Sequence, residues 1–281
     1  MEKVIIRVPA STSNLGPGFD CLGVALKIYN DITVMRAQSK QRLPQIVDEA
    51  ARLFFKESRV RAFLFSCTMK GDVPPSRGLG GSVTVRLGLL HALNELCDRP
   101  LDRLSIFQLC AQLEGHPDNA APASFGGFTV ARNGAVTRFE VSPRLYFVLL
   151  IPKLEVATAN ARKVLPSKID RTAAVESCAN ACAITAAFAS RAYENLGGAF
   201  ADQLHQPFRQ KLVPFLPRVI AAAGKAGALG AFLSGSGSTI CAITLQDRHK
   251  VAAAMRRAAR STLSRTVVTT ADNGGVQIKH G

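Results

Sequence analysis

From Lys3 to Val8 apolar and polar residues alternate and the apolar ones are β-branched, which predicts a first strand that stops at Pro9. The next ten residues, Ala10–Phe19 (A-S-T-S-N-L-G-P-G-F), are all turn chemistry. Two further strands are predicted at Cys21–Ile28 and Ile32–Arg36, and another over Arg61–Met69. Between them Ile46, Ala50, Leu53 and Phe54 recur at helical spacing, giving a helix over Leu43–Phe55. Leu87, Leu90, Leu93 and Leu96 mark a second helix over Val83–Leu96, and Leu104–Leu113 a third. The pair Asn133-Gly134 separates Phe128–Arg132 from Ala135–Val141, a strong hairpin signal. Leu145–Ile151 is a continuous apolar strand closed by Pro152.

The second half changes character. Thr172–Tyr193 is long and Ala-rich and reads as a buried helix, with further helices near 199–205, 208–213 and 216–226. A Gly/Ser loop, Gly230–Thr239 (G-A-F-L-S-G-S-G-S-T), leads into a strand over Ile240–Leu245. A helix over Arg248–Leu263 and a strand over Thr266–Thr270 close the pattern. Strands and helices mix in both halves, so the fold class is α+β, and Pro152 divides residues 1–151 from residues 152–281.

Composition narrows the picture. The 281 residues are 47% hydrophobic and 20% charged, the profile of a globular chain with a substantial core. No apolar run reaches the length of a bilayer span, and the first apolar segment is too short for a signal peptide, so a cytoplasmic protein without membrane contact is expected. The seven cysteines show neither C-x-x-C pairs nor His partners at metal spacing, and read as free thiols. A formal charge of +15 favours anionic partners. The basic residues are dispersed, Trp is absent and Tyr numbers three, which suits phosphorylated ligands better than nucleic acid.

Four polar loops carry the candidate chemistry. In V-P-P-S-R-G-L-G-G-S (Val73–Ser82) a Gly-rich turn feeds a helix, so unpaired N–H groups and the helix dipole suit a phosphate; the same residues can also serve only to turn the chain. The spacing matches neither G-x-x-x-x-G-K-[ST] nor G-x-G-x-x-G. The loop Pro9–Gly23 offers Asn14 and Asp20. E-G-H-P-D-N (Glu114–Asn119) brings His116, Asp118 and Asn119 together beside the stiff Pro117, either as acid–base and binding groups or as a plain helix end. Ser234–Ser238 offers another ring of backbone N–H groups, or a simple turn into the next strand.

Taken together and in order, P-A-S-T-S-N-L-G-P-G-F-D-C-L-G-V-A-L, the phosphate loop, E-G-H-P-D-N-A-A-P-A-S-F-G-G and L-S-G-S-G-S-T resemble the homoserine kinases of the GHMP small-molecule kinase superfamily over nearly the whole chain. Asp202–Arg209, D-Q-L-H-Q-P-F-R, is similar to another stretch of that family. The resemblance implies ATP- and Mg²⁺-dependent phosphorylation of the L-homoserine hydroxyl on the way to threonine. It also implies a ribosomal S5 domain 2-like N-terminal domain, a ferredoxin-like C-terminal domain and a homodimer. Matched by motif, Pro74, Ser76, Gly78, Leu79, Gly80, Gly81 and Ser82 would wrap the ATP phosphates. Asn14, Asp20, His116, Asp118 and Asn119 would line the substrate pocket, with Asp20 on the ammonium and Asp118 or Asn119 orienting the hydroxyl. Arg162 and Arg209 would hold the carboxylate, and Thr158 would stand near the transferred phosphate.

The chain departs from the family pattern at several places, among them Val83 where a small residue is usual and a short segment between Val34 and the phosphate loop, where the family frames the adenine. G-L-G-G-S replaces G-L-G-S-S, so Gly81 stands where a Ser is usual. Counting eight residues back from His116, the Glu that helps hold Mg²⁺ becomes Gln108, which with Ser82 forms the expected metal position. Ser238 stands for the Pro usual after S-G-x-G. Two readings follow: a kinase whose metal ligation has shifted to Glu114 or Ser82, or a catalytically weakened or inactive relative that binds an amino acid in a regulatory or interaction role. A kinase for another small alcohol is a third.

Overall fold

The computed structural model describes residues 2–39, 41–132, 134–260 and 262–279. Two antiparallel sheets organise the chain. The first contains β1 (Lys3–Ser13), β2 (Leu22–Arg36), β3 (Phe65–Gly71), β4 (Phe128–Arg132), β5 (Ala135–Phe139) and β10 (Gln277–Lys279), in the order β10-β1-β2-β4-β5 with β3 also on β2. The second is β7 (Gly230–Leu233), β8 (Ile240–Thr244), β6 (Tyr146–Pro152) and β9 (Ser264–Thr270) in that spatial order.

The first strand does not stop at Pro9. Pro lacks an N–H, and the ladder accommodates it by an irregularity: Pro9 faces Tyr29 while Ala10 faces Leu26, so β2 carries extra residues and β1 runs on to Ser13. The two strands expected at Cys21–Ile28 and Ile32–Arg36 are therefore one long bent strand. Ser11, Thr12 and Ser13, expected in a loop, are fully buried strand residues.

Helices α1 (Gln45–Ser58), α2 (Gly81–Leu96) and α3 (Arg103–Glu114) cover the first sheet. α2 lies against β1 and β2 on one side and α1 and α3 on the other, which is why its apolar residues surround it. Gly88 permits the approach, since a Cβ there would lie 2.2 Å from Ile32. A short helix α4 (Ala120–Phe125) follows, and then the β4–β5 hairpin; Gly134 turns it at φ +76°, and Asn133 lies outside the described residues.

β6 has two buried faces. Phe147, Leu149 and Ile151 join the core shared with the first sheet, whereas Val148 and Leu150 join the core under helices α8 (Leu216–Lys225) and α9 (Arg248–Ala258). Its unbroken apolar run is the signature of a strand covered on both sides.

The helix expected over Thr172–Tyr193 is present as α6 (Arg171–Ser190), but it is not buried. Only Ser177, Ile184, Ala187 and Phe188 are buried; the rest of its small residues lie partly or fully open. By length and composition α6 could cross a membrane (mean hydropathy 1.2 over 18 residues), which corrects the expectation that no segment could. Small Ala and Cys side chains raise hydropathy without providing much bulk to bury. α5 (Thr158–Lys163) and α7 (Gln206–Arg209) are short, and residues 199–205 are not helical. Residues 230–233 of the expected Gly/Ser loop form β7.

Candidate active site

One cavity of about 410 Å³ is lined by residues from both halves of the chain, and the four loops converge on it. Its wall includes Ser76, Gly78, Gly80, Gly81 and Ser82 of the phosphate loop, Asn14, Asp20, His116, Asp118, Asn119, Thr158, Arg162 and Arg209, and Gly235 and Ser236 of the fourth loop. Thirteen of the sixteen sequence-derived positions thus line the cavity, and Pro74, Leu79 and Gln108 do not.

The phosphate loop turns through left-handed backbone at Ser76 (φ +53°), Gly78 (+71°) and Gly80 (+69°) before α2 begins. No side chain caps α2, and its first backbone hydrogen bond to a preceding residue is Thr84 N–H to the Gly80 carbonyl. The earlier amides of the first turn are left facing the cavity end of the helix, an arrangement suited to an anion. Leu79 is buried in the core and anchors the loop, its carbonyl accepting from Ser11 N–H at 3.2 Å. Pro74 stands behind Gly81: a Cβ at Gly81 would lie 3.2 Å from the Pro74 carbonyl oxygen.

The loop at Ser234–Ser238 does not offer a full ring of free amides, since three of its five are engaged within the protein. Ser234 N–H donates to Thr239, Gly235 N–H to Ser13 and Gly237 N–H to Ser234. The Ser234 hydroxyl donates to the Gly78 carbonyl at 2.6 Å and meets the Thr12 hydroxyl at 2.8 Å. This loop braces the other two.

The strand residues Ser11 and Ser13, not singled out from the sequence, set the orientation of Asn119. The Ser11 hydroxyl donates to Asn119 Oδ1 at 2.9 Å, and Asn119 Nδ2 donates to the Ser13 hydroxyl at 2.8 Å. Their only sequence signal is a run of small hydroxyl residues directly after an apolar strand. Asn14 is braced too, since Nδ2 donates to the Gly235 carbonyl and Oδ1 accepts from Asp20 N–H.

His116 Nδ1 lies 2.5 Å from Asp118 Oδ1. Burial opposes charge on both, but their mutual hydrogen bond and attraction outweigh it. His116 is raised above the ordinary histidine range and Asp118 held below the ordinary carboxylate range. Asp20 pairs with Arg162 through two bonds, 2.7 and 3.1 Å. An ammonium at Asp20 would therefore share its oxygens with that guanidinium. Arg209 is buried, which, with the nearby Arg162 charge, lowers it to about 10.

Gln108 is misplaced as a metal ligand. It sits on the exposed face of α3, and Nε2 donates to the Gly134 carbonyl at 3.4 Å, away from the cavity. Six residues on, at the end of the same helix, Glu114 does line the cavity, and the Ser82 hydroxyl donates to its Oε2 at 2.9 Å. Arg86 Nη1 donates to the other oxygen at 2.6 Å. A hydroxyl and a carboxylate beside the phosphate loop are hard oxygen donors that fit a divalent cation such as Mg²⁺. A second group of possible ligands, Asp20, His116 and Asp118, has donor atoms within 4.8 Å of one another; like Glu114 with Arg86, these residues are engaged in ion pairs, Asp20 with Arg162 and Asp118 with His116.

These loops and this cavity have counterparts among known proteins. The family model described as GHMP kinases N terminal domain matches residues 45–127, and that described as GHMP kinases C terminal matches residues 184–261. A homoserine kinase of Moorella thermoacetica is 36% identical over 271 residues, covering 90% of this chain and 92% of its own length. The chain belongs to the homoserine kinases of the GHMP kinase family. A homoserine kinase of Caldicellulosiruptor bescii is 37% identical over 257 residues, covering 85% of this chain and 84% of its own. The crystal structure of a homoserine kinase from Cytophaga hutchinsonii superposes with a TM-score of 0.90 at 25% identity, over 99% of this chain and 98% of that one. The two-domain GHMP kinase fold expected from the motifs is thus the fold of this homoserine kinase family member.

Proposed function

We propose that this chain transfers the γ-phosphoryl group of ATP to the side-chain hydroxyl of L-homoserine, giving O-phospho-L-homoserine. One observation carries the reading: a single cavity is lined both by an uncapped, Gly-rich helix start and by two arginines together with His116, Asp118 and Asn119. A nucleotide triphosphate and a small amino acid can meet there.

In this scheme the amides at the start of α2 bind the phosphates, and Ser82 and Glu114 would hold Mg²⁺. Bound there, the cation would neutralise charge on the phosphate oxygens. Phosphoryl transfer depends mainly on positioning and charge neutralisation, so a strong general base is not required. Asn119, fixed by Ser11 and Ser13, and Asp118, fixed by His116, orient the attacking hydroxyl. Arg209 takes the carboxylate, joined by Arg162 once the latter releases or shares Asp20. Thr158 stands at the start of α5 on the cavity wall, near the transferred group. Glu114 supplies the charged oxygen ligand that Gln108 lacks, which favours an active kinase over an inactive relative.

A coupled assay with ATP, Mg²⁺ and L-homoserine tests the reading. Turnover that requires all three is expected; homoserine binding without turnover would sink it. The same reading carries a cytoplasmic homodimer, and sedimentation of the purified chain checks the assembly.

A further inference from the structure

Arg209 has five N–H bonds, and three of them are already committed. Nε donates to the Ala161 carbonyl at 3.2 Å. Nη1 donates to the Gly235 carbonyl at 2.9 Å and to His205 Nδ1 at 3.2 Å. Nη2 is left as the nitrogen without a partner among the described residues, and Arg209 lines the cavity.

The bond from Arg209 to His205 fixes the state of the imidazole. Nδ1 can accept only if it carries no hydrogen. Nε2 lies 2.8 Å from the Gly16 carbonyl, which can only accept, so the hydrogen is on Nε2 and the ring is neutral. Burial is complete, and burial together with the Arg209 charge lowers His205 to about 4 against the opposing attraction of Asp202. Asp202 holds the backbone in place: Oδ1 accepts from Leu204 N–H, and Oδ2 from the N–H groups of His205 and Gln206. His205 immediately precedes α7 and Arg209 is its last residue, four positions on, with Arg209 N–H donating to the His205 carbonyl at 3.0 Å, so the contact is built into the local turn.

Phe19 completes the support. Its ring stacks on His205 with centroids 5.2 Å apart, and the Arg209 and Arg162 guanidinium carbons lie 5.2 and 5.5 Å from its centroid. An aromatic face beside two cations favours both and limits their rotation. We propose that His205 and Phe19 are positioning residues that lock the Arg209 guanidinium, leaving Nη2 to meet the substrate carboxylate. This rests on the homoserine reading above only in requiring a substrate that carries a carboxylate. A preset guanidinium loses little freedom on binding, so its effect is on substrate affinity rather than on phosphate handling.

The histidine has two separable functions, and substitutions divide them. His205→Asn keeps an acceptor near the Nδ1 position and loses the Gly16 bond. His205→Gln keeps a donor near Nε2 and loses the acceptor for Arg209, and His205→Leu loses both. Steady-state kinetics on the full chain should show KM for L-homoserine raised about 10-fold or more in His205→Gln and His205→Leu, with KM for ATP within about twofold of the parent. His205→Asn should stay within about threefold. Phe19→Leu, which keeps an apolar side chain, should raise the same KM by a smaller factor. With L-homoserine amide, which lacks the anionic carboxylate, the differences between parent and variants should vanish. Penalties of equal size on the amide, or a His205→Asn variant as impaired as His205→Leu, would overturn the proposal and leave His205 a fold anchor through Gly16. If a variant melts early, Phe19→Leu carries the comparison. Should the parent fail to phosphorylate homoserine, calorimetric binding of homoserine to parent and His205→Gln separates the two ideas. Weaker binding to the variant keeps the positioning role, and no binding to the parent removes both.

Discussion

Glu114 holds two contacts at once, the Ser82 hydroxyl and the Arg86 guanidinium, and both act on where its carboxylate points. Removing the charge while keeping the shape should weaken the hold on a cation beside the phosphates. Glu114→Gln is expected to lower kcat and raise the Mg²⁺ concentration needed for half-maximal rate, by on the order of 10- to 100-fold. Gln108→Glu, by contrast, adds a carboxylate on the exposed face of α3 and should leave the Mg²⁺ dependence unchanged. A Mg²⁺ titration of both variants checks the pair, and a shift in Gln108→Glu would refute the assignment. The ion pair of His116 with Asp118 adds a pH dependence. The raised His116 contributes stability that is fully present below its ordinary value of 6.5 and lost as pH rises through its higher folded value. The lowered Asp118 contributes above its ordinary 3.8 and loses that contribution as pH falls through its lower folded value. Support from the pair is therefore greatest between those limits. Melting temperature should decline as pH is raised above neutrality, and His116→Asn should flatten that decline; an unchanged slope in the variant would exclude the pair as its source.

At the scale of elements, the phosphate loop and the Ser234–Ser238 loop act as one unit. Gly78 is their meeting point, with φ of +71° and space so tight that a Cβ would lie 2.0 Å from the Ser234 carbonyl oxygen. Gly78→Ala is expected to cost about 2 kcal/mol or more, from left-handed strain and displaced backbone, and to raise KM for ATP more than KM for homoserine. Chemical denaturation and kinetics measure both, and a neutral outcome would show that the loop adapts. Much of this level was readable in the chain: α1, α2, α3 and the β4–β5 hairpin follow from apolar spacing and the turn residues beside them. What periodicity missed has physical causes. Pro9 looks like a strand end, yet a ladder irregularity carries β1 to Ser13. Ser11 and Ser13 look like loop residues because nothing local reveals that Asn119, more than 100 residues away in sequence, will meet their hydroxyls. The count to Gln108 followed one spacing along the sequence, whereas the cavity selects by the direction of a helix end. Glu114, the last residue of α3, is the one that arrives there.

For the whole molecule, the last residues decide how the two sheets are joined. After β9 the chain leaves the second sheet: Ala271 bridges to Leu26, Asp272 N–H donates to the Ala25 carbonyl, and β10 then pairs with β1 at the edge of the first sheet. Residues 277–279 of the proposed C-terminal division thus belong to the N-terminal sheet, a placement no local pattern announces. Asp272 is the pivot. It is buried, its Oδ2 accepts from the Tyr29 hydroxyl at 2.7 Å, and its Oδ1 accepts from the N–H groups of Gly274 and Gly275 at 2.9 and 2.7 Å. Arg103 from α3 donates to the Gly274 carbonyl, and Lys279 Nζ pairs with Asp31 at 2.6 Å. The cavity takes the phosphate loop from the first half of the chain and Arg162 and Arg209 from the second, so this return of the chain helps to hold the two contributions together. Asp272→Ala leaves the Tyr29 hydroxyl, the exposed Gly274 amide and the buried Gly275 amide without their acceptor and should cost about 2 kcal/mol. Deleting residues 272–281 removes the whole strap and should do more than lower the melting temperature. The shared core between the sheets would remain, but the two halves would lose the segment that couples them, so calorimetry should show a broadened or two-step transition where the parent shows one. Retention of a single sharp transition, shifted only in temperature, would mean that the inter-sheet core around Phe128, Phe147 and Phe188 holds the halves together without the strap.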